Sequence, residues 1–249
     1  MSVVICYCCE GFSMIATDTR ICYEKTIGEY TDNNKKLQVA NKGFSWAAGA
    51  GAVGLIDSFI DLTNKVELNS YEDINKLFKM ALNITKIRFD YTEDTLENTG
   101  VVISMNKPNI QQLFQIYLWS YKIGNLEEDS IVEINRNEFY LLYPPNFDDQ
   151  GKRNKFKEDY LNCQIDNDID FITKHTCKIF KYICDCSETV SNIIDFGITY
   201  LDQELDIVRL QLRVPVTELL ELESIFQHPN TQIVWRLSEN HNKDRKKQE

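Results

Sequence analysis

Apolar and polar positions along this chain switch repeatedly between a period of two and a period near 3.6. Residues 3–9 and 12–18 are apolar and rich in β-branched side chains, with Glu10-Gly11 between them. That pattern predicts a hairpin. Residues 36–39 and 43–48 predict a second strand pair. From Gly51 the period lengthens, and Val53, Ile56, Ile60 and Leu62 recur at helical spacing. A second helix is predicted over 71–89, with Ile74, Leu77, Phe78, Ala81, Leu82 and Thr85 on one stripe. Ser70 suits its N-cap, and Asp73 places an acid in its first turn.

The middle of the chain returns to strands, predicted over 100–105, 112–121, 130–134 and 138–143. "PPNFDDQGKRNK" is a polar break, followed by predicted helices over 155–162 and 169–186. The second carries Ile172, His175, Ile179 and Tyr182 or Ile183 at helical spacing, so His175 reads as a core residue. Strands over 193–201 and 207–214, a short helix over 218–226 and a strand over 231–237 complete the pattern. The charged stretch 238–249 has no apolar residues and is expected to be a disordered tail. No linker, internal repeat or long low-complexity segment interrupts residues 1–237, which are expected to form one domain. Strand blocks alternating with helix pairs predict an α+β fold: two antiparallel sheets face to face with helices outside, a four-layer α-β-β-α sandwich.

The 249 residues are enough for one large core or two small ones. With 27 basic and 38 acidic residues the net charge is −11. That balance argues against nucleic acid or an anionic membrane as the main partner, since both require clustered Lys and Arg. No apolar run is long enough to span a bilayer, and the N-terminus lacks the basic start and small-residue cleavage site of a signal peptide. A soluble, cytoplasmic protein is expected. The 8 cysteines fit it. Cys6 and Cys8 share one strand face, and a metal site with Cys184 and Cys186 is the sharper reading. No pair has C-x-x-C spacing and His is scarce, so small apolar fillers are the favoured reading. Trp46, Trp119 and Trp235 read as core or interface anchors.

The candidate chemistry lies at the N-terminal hairpin. If Cys8 pairs with Phe12, partner numbers sum to twenty and Ser2 faces Asp18, with Arg20 just beyond. A two-residue loop shifts the pairing by one, and Ser2 then faces Thr19. Initiator methionine is commonly removed before a small residue, which would leave Ser2 with a free α-amino group. A serine hydroxyl needs a base. An α-amino group has an ordinary pKa of about 8, so Ser2 can carry nucleophile and base together. Such a site needs a cation, for which Lys36 is the candidate and Lys35 the second choice. It needs a carboxylate to hold that cation, Asp18. It needs an N–H for the oxyanion, and Gly49 in "SWAAGAGAVG" stands near a helix N-terminus.

Ser2, "SMIATDTR", "KKL" and "WAAGAGAVGLIDSF" follow one another in an order that resembles the proteasome β-subunit and HslV group of N-terminal nucleophile hydrolases. The likeness covers roughly the first sixty residues. "SETVSNIIDFGITYLDQ" resembles the D-x-x-S motif and following strand of the same group, and also its bacterial branch called Anbu. Glu188 stands where the acid belongs, and Ser191 matches the serine that supports the terminal amine. The chain departs from the group in three places: serine replaces the usual threonine, Glu188 replaces aspartate, and "LLYPPNFDD" replaces a glycine-serine-glycine turn.

The resemblance implies the four-layer sandwich and a peptidase acting on polypeptides. Its site would comprise Ser2, Asp18, Lys36, Arg20, Gly49, Glu188 and Ser191, with no metal or organic cofactor. It also implies a homo-oligomer, ring or helical, and an ATPase unfoldase as a possible partner. Two alternatives stand beside it. One is a non-catalytic subunit of a self-assembling complex, for which a retained Met1 would speak. The other is a small-molecule amidase, for which a closed pocket in a small oligomer would speak.

Overall fold

Strand β1 (Val4–Cys8) and strand β2 (Phe12–Asp18) form the expected hairpin in the computed structural model. Its register is the shifted one. Val4 pairs with Thr17, Cys6 with Ile15 and Cys8 with Ser13, so partner numbers sum to twenty-one. The turn explains the correction: the Cys9 N–H donates to the Phe12 carbonyl at 2.9 Å, closing a two-residue loop of Glu10 and Gly11. The structure describes residues 2–22, 30–32, 34–66, 68, 70–106, 114–120, 131–143, 156–161, 167–204 and 206–237. The expected tail, the whole polar break, Cys163 and the side chain of Trp235 lie outside them.

Next come the short strands β3 (Ile21–Cys22) and β4 (Tyr30–Thr31), which pair with each other, then β5 (Gln38–Ala40) and β6 (Ser45–Ala50). Helices α1 (Val53–Thr63), α2 (Tyr71–Arg88) and α3 (Glu93–Glu97) come before β7 (Gly100–Asn106), β8 (Phe114–Ser120), β9 (Ile131–Glu133) and β10 (Phe139–Leu142). A π-helical turn at Lys157–Leu161 stands where a full helix was expected. Helix α4 (Ile169–Cys186) leads to β11 (Ile193–Leu201), β12 (Ile207–Pro215), α5 (Val216–Leu220) and β13 (Gln232–Leu237). The short helix expected over 218–226 begins earlier. Pro215 sits at its N-cap with φ −56°, and a separate 3-10 turn forms at Ile225–Gln227.

One sheet has the order β10-β1-β2-β11-β12-β13 and the other β5-β6-β7-β8-β9. Every pairing among the described strands of both sheets is antiparallel. Three apolar layers follow from the alternation of side chains. Val3, Ile5, Tyr7, Met14 and Phe196 face α4 through Ile172, Ile179 and Phe180. Val4, Cys6, Cys8 and Ile15 face Trp46, Val102, Ile116 and Leu118 across the gap between the sheets. Val101, Ile103 and Trp119 face α1 and α2. This is the four-layer α-β-β-α sandwich. Because both sheets are covered on both faces, every residue of β1 and β2 is buried.

Two local features fasten the layers. Phe59 of α1, Phe78 of α2 and Trp119 of β8 stack face to face. Trp46 lies against Gly197 of β11, where a Cβ would sit 2.6 Å from the indole, so only glycine lets the sheets approach there. Helix α2 starts at the expected cap: Ser70 Oγ accepts the Asp73 N–H and Asp73 Oδ2 accepts the Ser70 N–H, a reciprocal box.

Candidate active site

Asp18 ends β2 with none of its surface exposed. Its Oδ1 accepts the Val3 N–H at 3.0 Å and the Lys36 ammonium at 2.8 Å, and its Oδ2 accepts the Arg20 N–H at 2.9 Å. Thr17 Oγ1 donates to the Val3 carbonyl at 2.9 Å. The main chain beside Ser2 is thus clamped on both its donor and its acceptor side. Lys36 is 9 % exposed, and its Nζ–Asp18 pair is shielded from water. Removing one member of such a pair strands a buried charge, at a cost of about 3–5 kcal/mol.

Arg20 ties three separate segments together. Its Nε and Nη2 make a two-pronged contact with the Asp32 carboxylate at 2.7 and 2.9 Å. Its Nη1 donates to the Glu188 carbonyl, and the guanidinium lies 3.7 Å over the Tyr30 ring. The Arg20 guanidinium holds the Asp32 carboxyl below its ordinary range. Glu188 therefore meets this network through its main chain, and its side chain is exposed. Ser191 is fully buried. Its Oγ accepts the Thr19 N–H at 3.2 Å, lies 2.9 Å from Thr19 Oγ1 and donates to the Ile193 carbonyl at 3.0 Å. The hairpin register carried past the strand end puts Ser2 opposite Thr19, so Ser191 braces the residue facing Ser2.

Ser2, Lys36 and Gly49 line one cavity of about 80 Å³, together with Ile21, Gly51 and Ile56. Gly49 lies in β6, and the chain turns at Gly51, φ +110°, before α1 begins at Val53. Thr99 secures that turn, its Oγ1 accepting the Ala52 N–H at 2.8 Å. Four regions of sequence thus reach one place: the hairpin, the segment before β5, the β6–α1 turn and the α4–β11 connection.

Sequence reasoning missed Asp32, Tyr30, Thr17 and Thr99, and it named Thr19 only as the residue opposite Ser2 in the shifted register, not as the partner of Ser191. Asp32 stands in "DNNKK", which reads as a solvated loop, and nothing local marks it as the partner of Arg20. Thr19 lies inside the quoted "SMIATDTR", so its place beside Asp18 was the available signal. The cysteines divide between layers. Cys6 and Cys8 lie between the sheets, whereas Cys177 and Cys184 pack on the α4 side. Burial pushes the thiols of Cys8, Cys177 and Cys184 up to about 12, as expected for small apolar fillers. His175 is also a core residue. Its Nε2 lies 2.6 Å from the Tyr160 carbonyl, and burial holds its pKa below the ordinary value.

No protein-family model matches the chain, and no curated protein matches it in sequence. Solved structures do match. A mutant Anbu from Hyphomicrobium sp. strain MC1 superposes with a TM-score of 0.64 at 14 % identity, covering 88 % of this chain and 92 % of that one. Anbu (ancestral beta-subunit) from Yersinia bercovieri gives 0.63 at 12 % identity, over 88 % and 91 %. Another Anbu structure from Hyphomicrobium sp. strain MC1 gives 0.61 at 14 % identity, over 88 % and 91 %. At these identities the likeness is one of fold: the chain shares the α-β-β-α sandwich of the Anbu structures.

Proposed function

We propose that this chain is a proteasome-like peptidase that cuts amide bonds with Ser2 as an N-terminal nucleophile. The observation that carries the reading is the shared cavity of Ser2, Lys36 and Gly49, with Lys36 held by the buried carboxylate of Asp18. Met1 lies outside the described residues, and its removal is the first requirement. Ser2 Oγ then attacks the substrate carbonyl carbon while the α-amino group takes the hydroxyl proton. The Lys36 ammonium lowers the proton affinity of both groups. The Gly49 N–H receives the developing oxyanion. The protonated amine gives its proton to the departing nitrogen, leaving an ester on Ser2, and water, deprotonated by the same amine, releases the acyl group. Each step moves protons and an acyl group only, so neither metal nor organic cofactor enters it.

In this reading Arg20 and Ser191 are positioning residues, and Glu188 acts through its carbonyl. The working form is a homo-oligomer, ring or helical, acting on polypeptides in the cytoplasm, with an ATPase unfoldase as a possible partner. Hydrolysis of fluorogenic peptides by purified protein tests it. Ser2→Ala is expected to abolish turnover, and Lys36→Ala to lower kcat at least a hundredfold. Turnover that survives Ser2→Ala would contradict the reading.

A further inference from the structure

Lys36 stands between β4 and β5, outside both strands. Asp18 anchors its ammonium, but the main chain that carries it needs anchors of its own. One is the Asn34 N–H, which donates to the Thr19 carbonyl at 3.3 Å. Another is Asp32, whose carboxylate Arg20 holds. A third comes from the far end of β12. Arg213 Nη2 donates to the Asp32 carbonyl at 3.4 Å and to the Asn34 carbonyl at 3.3 Å. Arg213 thus grips the main chain two residues before Lys36, from two strands away.

The sheet register shows what stands behind that grip. Val4 lies opposite Thr17, Thr17 opposite Asp195 and Asp195 opposite Arg213, one row across four strands. Residues directly opposed in antiparallel strands share a face, so the row is a line of side-chain neighbours. At one end Thr17 Oγ1 donates to the Val3 carbonyl, next to Ser2. At the other end Arg213 holds the segment of Lys36. Asp195 stands between them with none of its surface exposed. Its Oδ1 accepts Gln211 Nε2, and its Oδ2 has no hydrogen-bond partner among the described residues. The charges that favour its ionised form are those of Arg213 and Lys35. A buried carboxylate with one oxygen unpaired costs stability. Aligning a guanidinium gives that cost a use.

We propose that Arg213 is a positioning residue for the Ser2 reaction: it fixes the backbone on which Lys36 stands, and the Asp195 carboxylate keeps its guanidinium over that backbone. This rests on the Ser2 hydrolase reading and adds to it the residue that sets where the Lys36 ammonium stands.

Acylation of Ser2 by a small β-lactone, followed by intact mass across lactone concentration and pH, tests the proposal. In Arg213→Gln the rate at saturating lactone is expected to fall about tenfold. The half-saturating concentration is expected to stay within about twofold, because Arg213 does not line the cavity at Ser2. The acidic limb of the rate profile is expected to move up by about half a pH unit, since a displaced Lys36 ammonium no longer lowers the proton affinity of the α-amino group. Arg213→Lys, whose single ammonium still reaches one carbonyl, is expected to restore about a third of the rate. Asp195→Asn is expected to slow acylation about threefold above pH 6, where loss of the buried charge leaves the fold no less stable, so misfolding does not account for the loss. Hydrogen exchange at the Asn34 amide is expected to quicken about tenfold in Arg213→Gln. A wild-type rate in Arg213→Gln or in Asp195→Asn, a slower rate with an unmoved limb, no rescue by lysine, or unchanged exchange at Asn34 overturns the proposal and leaves the hydrolase reading intact. Wild-type protein that forms no adduct removes the hydrolase reading and the proposal with it.

Discussion

Asp195 of β11 shows what a single residue contributes here. It is fully buried, its Oδ1 accepts Gln211 Nε2 at 2.9 Å, and its Oδ2 has no hydrogen-bond partner among the described residues. Burial pushes its carboxyl up to about 6, although Gln211 and the cross-strand neighbour Arg213 pull the other way. A folded-state value above the ordinary one, about 4, means that the native protein holds its proton longer than the unfolded chain does. The site costs nothing below pH 4. Between about pH 4 and 6 its cost grows, and above pH 6 it reaches about 3 kcal/mol. Asp195→Asn is therefore expected to be increasingly stabilising, relative to wild type, as pH rises through that window. Urea unfolding at a series of pH values checks this, and a difference that does not change with pH would contradict it. The residues legible in the sequence were those with a local signature: Ser2 behind the initiator, Asp18 at a strand end, Lys36 before a strand and Gly49 in a run of small residues. Asp32 and Thr19 act through contacts that no local pattern carries.

Among the elements, those with a long clear period were legible nearly to the residue. The 169–186 and 193–201 segments fall where the pattern put them, and α2 starts at its predicted cap. The short ones were not. Helix α3 has five residues and α5 has five, too few to display a period. The hairpin register depended on the loop, and the closing Cys9–Phe12 bond decided it. The β6–α1 turn depends on one conformation. Gly51 has φ +110°, and a Cβ there would lie 2.4 Å from Thr99 Oγ1. Gly51→Ala is expected to cost about 1–3 kcal/mol from the backbone alone. It would also disturb the Thr99 hydroxyl that holds Ala52 at the start of α1. A lowered unfolding midpoint checks the prediction, and an unchanged one would contradict it.

At the scale of the whole molecule, the two-sheet sandwich supplies what no segment has alone. Asp18 and Lys36 are 18 positions apart, and Thr19 and Ser191 are 172 apart, yet each pair is in hydrogen-bond contact. The second sheet covers the hairpin on one face and α4 covers it on the other, so the terminus emerges at a fixed place beside a buried ion pair. Fold class followed from the alternation of strand blocks and helix pairs; the convergence of loops on Ser2 needed the structure. The proposed chemistry turns on Ser2 being a live N-terminal nucleophile. Intact mass of the purified, tag-free protein, before and after treatment with a small β-lactone, tests it most directly. Loss of Met1 and a single acyl adduct that is absent in Ser2→Ala are expected. A retained Met1 with no adduct would contradict it.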